Sequence, residues 1–261
     1  MGKNCRRLQN IFVAASYLLM LSVSFIADFI PLGGLTTARI AEMHPNLFTP
    51  AGYTFAIWGL IYILLALYVI YHLGLIRGAE KSAFLSGSVG ALFIVSSLAR
   101  TAWVVLWHYL LIPSTILMAA ITLISLILIN LRLSEALPLG REKLFCRIPF
   151  SVYFGWVTVA SVSNFTVMLV SLGWGGFGLP ETFWAIAVIL AGLVIGLATT
   201  LRLKDIAYGL VFIWAYLGIL MRHISTAGLG GRYPAIIAVL CFCLVLLIAA
   251  VIYLASRKKR I

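Results

Sequence analysis

Polar residues break the apolar character of this chain at only a few places, and the stretches between them are long. Eight apolar runs can be drawn, at about 11–30, 51–75, 84–108, 112–131, 149–171, 183–201, 206–223 and 235–255. A helix crossing a bilayer needs roughly 20 mostly apolar residues, because each residue advances only about 1.5 Å through a hydrocarbon layer of about 30 Å. Each run therefore predicts one membrane-spanning helix. The fold class is all-α, a polytopic membrane helix bundle of about eight spans. The narrowest division is His108-Tyr109-Leu110-Leu111-Ile112-Pro113, between the third and fourth spans. Pro113 supports a break there, since proline suits the first turn of a helix. The N-terminal run is longer than a signal-peptide core of about 7–15 residues and no small-x-small cleavage site follows it, so it reads as an uncleaved first helix.

Two connections stand out. Residues 31–50 form the longest outer loop: Pro31-Leu32-Gly33-Gly34 leads into Thr36-Thr37-Ala38-Arg39-Ile40-Ala41-Glu42-Met43-His44-Pro45, which suits a short interfacial helix able to cover a cavity. Gly173-Trp174-Gly175-Gly176-Phe177-Gly178-Leu179-Pro180 reads as a flexible turn. No internal repeat or low-complexity linker is evident.

Composition strengthens the membrane reading. The chain is 63% hydrophobic and 10% charged, with mean hydropathy +1.12; a soluble domain is about half apolar and about a quarter charged. The net charge of +12 would point to nucleic acid in a soluble protein. Here the bases sit at span ends, and nucleic acid is excluded as a partner. With the N-terminus inside, 15 Lys and Arg fall on the inner side: Lys3, Arg6, Arg7, Arg77, Lys81, Arg132, Arg141, Lys143, Arg147, Arg202, Lys204, Arg257, Lys258, Lys259 and Arg260. Three, Arg39, Arg222 and Arg232, fall outside. By the positive-inside rule this places both termini in the cytoplasm of a multi-pass cell-membrane protein. Cys5, Cys146, Cys241 and Cys243 have neither metal-site nor disulfide-framework spacing.

The remaining base, Arg100, lies inside the third span. An intramembrane charge costs on the order of 2.5–3.5 kcal/mol and so faces a partner or a cavity. Asp28, near the end of the first span, is one candidate partner; an anionic ligand is the other. Trp103 and Trp107 follow Arg100 at i+3 and i+7 and share its helix face. Trp156, Ala160 and Asn164 are four apart and form a second ridge, which suits either helix packing or ligand contact. The second span opens with Pro50-Ala51-Gly52-Tyr53-Thr54-Phe55-Ala56-Ile57-Trp58-Gly59-Leu60-Ile61-Tyr62. Tyr and Trp pair an apolar body with one polar atom, so there they mark the headgroup belt or line a pocket. Gly192 and Gly196 offer a G-x-x-x-G face for close helix contact. His44, His72, His108 and His223 are scattered, and no metal site is expected. Asn164-Phe165-Thr166 is a sequon inside a span and is discarded. No mid-span lysine suggests a retinal Schiff base, and no Ser-His-Asp, Walker or zinc motif appears.

These motifs, in this order, resemble the tryptophan-rich sensory protein family, also called the translocator protein (TspO) family. Pro50 followed by Trp58-Gly59-Leu60-Ile61-Tyr62 matches the family's second helix. Arg100-Thr101-Ala102-Trp103 matches the Asn-x-x-Trp of its third helix, with the tryptophan kept and the asparagine replaced by arginine. Trp156, Ala160 and Asn164 match the fifth helix in spacing. A second entrance tryptophan is replaced by Gly52, with Tyr53 beside it. The resemblance covers about 8–172, so it implies a five-helix TspO-like domain at 1–175 followed by three additional spans and a basic tail at 176–261. It implies a pocket between helices, capped by the first loop. It also implies porphyrin or haem-related tetrapyrrole ligands, with sterols or isoquinolines in some members, and frequently a homodimer. No cofactor is required. Flat apolar ligands with carboxylate edges suit stacked tryptophans and a nearby arginine.

The expected ligand-binding set is Tyr53, Trp58, Tyr62, Arg100, Trp103, Trp107, Trp156, Ala160 and Asn164. Three functional classes stay open. The leading one is a sensor or carrier that binds a small hydrophobic ligand within the lipid bilayer. A membrane enzyme acting on a lipid or pigment would draw on Asp28, Glu42, His44, Arg100 and His108. A secondary transporter would show related halves and interrupted midplane helices; neither is evident.

Overall fold

The structure, a computed structural model, describes residues 3–30, 32–76, 85–136 and 140–258. Pro31, Arg77, Lys81, Lys259 and Arg260, named above, lie outside these, as does the first residue of the expected third span. The helices are α1 (Lys3–Phe29), α2 (Thr37–Glu42), α3 (Ile57–His72), α4 (Gly90–His108), α5 (Ile112–Ala136), α6 (Gly140–Glu142), α7 (Ile148–Ser171), α8 (Glu181–Arg202), α9 (Ile206–Ile224) and α10 (Pro234–Lys258). A 3-10 turn, Gly52–Ala56, leads into α3, and π-helical turns at Leu85–Val89 and Lys143–Arg147 lead into α4 and α7. Among the described residues eight helical segments are long and apolar enough to cross a membrane, as the eight apolar runs predict. The loop helix expected within 31–50 is α2, and Pro113 lies in the first turn of α5. Leu110 makes the preceding turn with φ +58°.

The chain forms two compact units. One contains Met1–Ile40 and Trp58–Val157, the other Ala41–Ile57 and Thr158–Ile261. These follow packing, whereas the division at 175/176 follows motif resemblance.

In the first unit α4 packs against both α1 and α5. Its buried residues include Phe93, Ser96, Ser97, Arg100, Val104, Trp107 and His108, a three-to-four spacing that defines one inward face. Tyr68, Phe93 and Phe150 make a mutual edge-on cluster, with centroids 4.7–5.9 Å apart. Tyr17 donates its hydroxyl hydrogen to the Tyr62 carbonyl at 2.9 Å, tying α1 to α3. Asn130 donates to the Phe150 carbonyl at 3.2 Å, and Arg147 donates to the Asn130 carbonyl at 3.1 Å, so α5 and the start of α7 are joined by polar bonds.

In the second unit α8, α9 and α10 pack together. A Cβ at Gly192 would stand 2.7 Å from the Tyr216 hydroxyl, and one at Gly196 would stand 2.5 Å from the Phe212 ring. The G-x-x-x-G face is thus a pair of notches filled by aromatic rings of α9. Tyr216 completes the fit by donating to the Ile189 carbonyl at 2.6 Å. Asp205 caps α9 by accepting from the Tyr208 amide, an interaction typically worth ~1 kcal/mol. The segment entering α3 is strapped to α9. Arg222 donates to the carbonyls of Asn46 (3.1 Å) and Thr49 (2.7 Å), His223 Nε2 lies 2.9 Å from the Leu47 carbonyl, and Trp214 donates to the Thr54 carbonyl at 3.0 Å.

Candidate functional site

The first unit gathers six of the nine expected ligand-binding residues. Arg100 is 6% exposed. By helix rise it sits about 12 Å from the His108 end of α4, close to the middle of its span. Its guanidinium carbon lies 4.0 Å from the centroid of the Trp58 ring and 4.5 Å from that of Trp103. Trp103 stacks on Trp107 at 4.9 Å and 16°. Trp58 stacks on Tyr62 at 5.8 Å and 22°. Trp156, 1% exposed, meets the Trp58 ring edge-on at 6.3 Å, and Tyr153 meets it at 6.1 Å. The order is an aromatic column, Tyr62–Trp58–Arg100–Trp103–Trp107, with Trp156 and Tyr153 against its α3 end.

The geometry grows from helix spacing. Arg100 and Trp103 are one turn apart on α4, so the guanidinium bends back over its own helix's indole. Trp58 and Tyr62 are one turn apart on α3 and present parallel faces. The column also reaches the loop. Trp107 donates its indole hydrogen to the Thr37 carbonyl at 3.2 Å, which docks α2 on the end of α4.

Arg100 has two π faces and, among the described residues, no counter-anion. Among the described residues no ion pair joins it to Asp28, which is exposed, and its Nε is buried without a hydrogen-bond partner. The Asp28–Arg100 pairing held open above is therefore not formed. Two cation–π contacts recover part of the desolvation cost, about 2 kcal/mol each where water is excluded. They leave the Nε–H without an acceptor.

Tyr53, Ala160 and Asn164 belong to the second unit. Tyr53 is 52% exposed and meets Trp214 edge-on at 5.9 Å. Asn164 is buried on α7. The residues that an enzyme would draw on are divided between the two units. Asp28 is exposed, and His108 is buried with Nδ1 2.8 Å from the Val104 carbonyl. Glu42 and His44 lie in the second unit. Among the described residues no three His, Cys, Asp or Glu side chains gather as metal donors.

Sequence reasoning missed two features. Arg222, counted only as an outer charge, is a buttress for residues 46–49. Trp174 and Trp184, in and after the glycine-rich turn, pack at 4.9 Å beside a cavity. The signal available for the second was a pair of tryptophans flanking that turn.

Eight apolar spans and a cation buried between indoles define a polytopic integral membrane protein. The chain belongs to the TSPO-like protein family, whose model matches residues 10–253. The match runs past residue 172, where the motif resemblance ends, so it takes in the sixth and seventh spans and most of the eighth. Membership implies a ligand-binding role in the membrane. No curated protein and no solved structure matches the chain.

Proposed function

We propose that this protein binds a flat, apolar, anionic molecule within the membrane, with the ligand's carboxylate at the Arg100 guanidinium and its rings against the surrounding tryptophans. A porphyrin or haem-related tetrapyrrole is the class that the family resemblance implies. The protein acts as a sensor or carrier for it. The observation that carries this reading is Arg100: a buried cation between two indoles, with no carboxylate partner among the described residues and an orphaned Nε. Structural arginines in membrane spans pair with a carboxylate or a backbone carbonyl; this one is left with an unmet donor. On this reading Trp58, Tyr62, Trp103, Trp107 and Trp156, all in the first unit, form the aromatic wall. The protein resides in the cell membrane with both termini cytoplasmic, by the charge asymmetry of its loops, and a homodimer is its expected assembly.

Titration of the purified protein with protoporphyrin, followed by tryptophan fluorescence, tests this. Saturable quenching is expected. Quenching that persists unchanged when Trp103 and Trp156 are both replaced by Phe would overturn it.

A further inference from the structure

A cavity lies wholly within the second unit. It has a volume of about 840 Å³ and opens between the end of α7, the glycine-rich turn, the start of α8 and residues 45–48. Sites for drug-sized molecules span roughly 300–1,000 Å³ and are mostly apolar with few polar groups. This one fits that description. Phe48, Phe165, Trp174 and Trp184 supply aromatic walls, and Val188 lies deeper along α8.

Its polar lining is nearly all spent internally. Asn46 accepts the amides of Phe48 and Thr49 and donates to the His44 carbonyl. Thr166 donates to the Ser163 carbonyl, and Trp184 donates its indole hydrogen to the Gly176 carbonyl. Glu181 is the lining residue with charge, exposed at the start of α8. Arg222 is coupled electrostatically to Glu42 and then to Glu181, while its hydrogen bonds go to the Asn46 and Thr49 carbonyls. No ion pair joins Arg222 to Glu181 among the described residues.

We propose that this cavity binds an apolar molecule bearing one ammonium group, the cation beside the Glu181 carboxylate and the faces of Trp174 and Trp184, and the apolar body between Phe48, Phe165 and Val188. Carboxylate and indole faces together favour a cation over a neutral donor. The site does not depend on Arg100. It differs from the column in charge preference, so the two can be loaded separately.

The test uses the full chain in phosphatidylglycerol nanodiscs, which carry no ammonium headgroup, with radiolabelled dodecylammonium as probe. Wild type is expected to bind it saturably at one site. Glu181→Gln should weaken binding at least tenfold, and Val188→Trp, which puts an indole into the apolar part of the cavity, should weaken it at least tenfold as well. Arg100→Gln should leave it unchanged, so failure here is distinguishable from failure of the anion site. Dodecanol should compete at least tenfold more weakly than the amine. Displacement by added phosphatidylethanolamine would identify a lipid headgroup as the occupant; no displacement would identify a free amine. Equal binding by wild type and both cavity variants, or equal competition by the alcohol, would overturn the proposal.

Discussion

Replacing Arg100 by methionine separates a ligand-binding arginine from a structural one. Methionine has similar length, no charge and an adaptable apolar chain. The cost of the native residue has two parts. A cation near mid-span costs about 2.5–3.5 kcal/mol, and its buried, unpartnered Nε adds about 1–3 kcal/mol. The return comes from the Trp58 and Trp103 faces at 4.0 and 4.5 Å, about 2 kcal/mol each when desolvated. Cost and return agree to within a few kcal/mol, with the balance leaning toward cost. Arg100→Met should therefore be as stable as wild type or more so. At roughly 2–4 °C per kcal/mol for a chain near this size, its thermal midpoint should be unchanged or rise by a few degrees. The assay is the midpoint for loss of the monodisperse peak on size-exclusion chromatography after graded heating in one detergent. Porphyrin binding, measured on the same preparation, should fall at least tenfold. A midpoint more than about 5 °C below wild type would refute the reasoning, because Arg100 would then be holding helices together.

Three further outcomes follow from the same contacts. Gly196→Leu drives a side chain into the Phe212 ring, where even a Cβ would stand at 2.5 Å; overpacking of this kind costs about 1–3 kcal/mol, readable as a lower midpoint, while Gly59→Ala, with nothing near its Cβ, should be silent. Arg222→Met removes the donors to the Asn46 and Thr49 carbonyls, so the hydrogen-bonded amides of Phe48, Thr49 and Ala51 should exchange hydrogen faster while those of α5 keep their protection; unchanged exchange would contradict the buttress. Exposed Cys5 should react with a membrane-impermeant maleimide in inverted vesicles and stay unreacted in intact cells, and the reverse pattern would contradict cytoplasmic termini.

The spans were legible because membrane insertion depends on length and apolarity, both written linearly in the chain. Helix ends were less so. α1 begins at Lys3, well before the apolar run at residue 11, since polarity marks where the membrane stops and not where the helix does. Arg100, Trp103 and Trp107 were legible as one face from spacing alone. The Trp58–Arg100 contact was not, because it depends on how α3 meets α4. Gly192 and Gly196 announced a close contact without naming Tyr216 and Phe212 as its occupants. The cavity beside Trp174 and Trp184 was hidden for a different reason. Glycines predict a turn, and nothing local tells that residues 45–48, more than a hundred positions earlier, form its other wall. Arg222 looked like a topology charge because its carbonyl partners are also remote in sequence.

The most direct measurement is a paired titration of wild type and Arg100→Gln with protoporphyrin and with its dimethyl ester. The ester keeps the flat ring and removes the carboxylates. A charge-assisted hydrogen bond in a buried site is worth about 1.5–3 kcal/mol, roughly 10- to 150-fold in affinity. Wild type should prefer the free acid by about that factor, and Arg100→Gln should bind the two alike, near the wild-type affinity for the ester. Equal affinity of wild type for acid and ester, or an undiminished preference for the acid in Arg100→Gln, would contradict an anion site at Arg100.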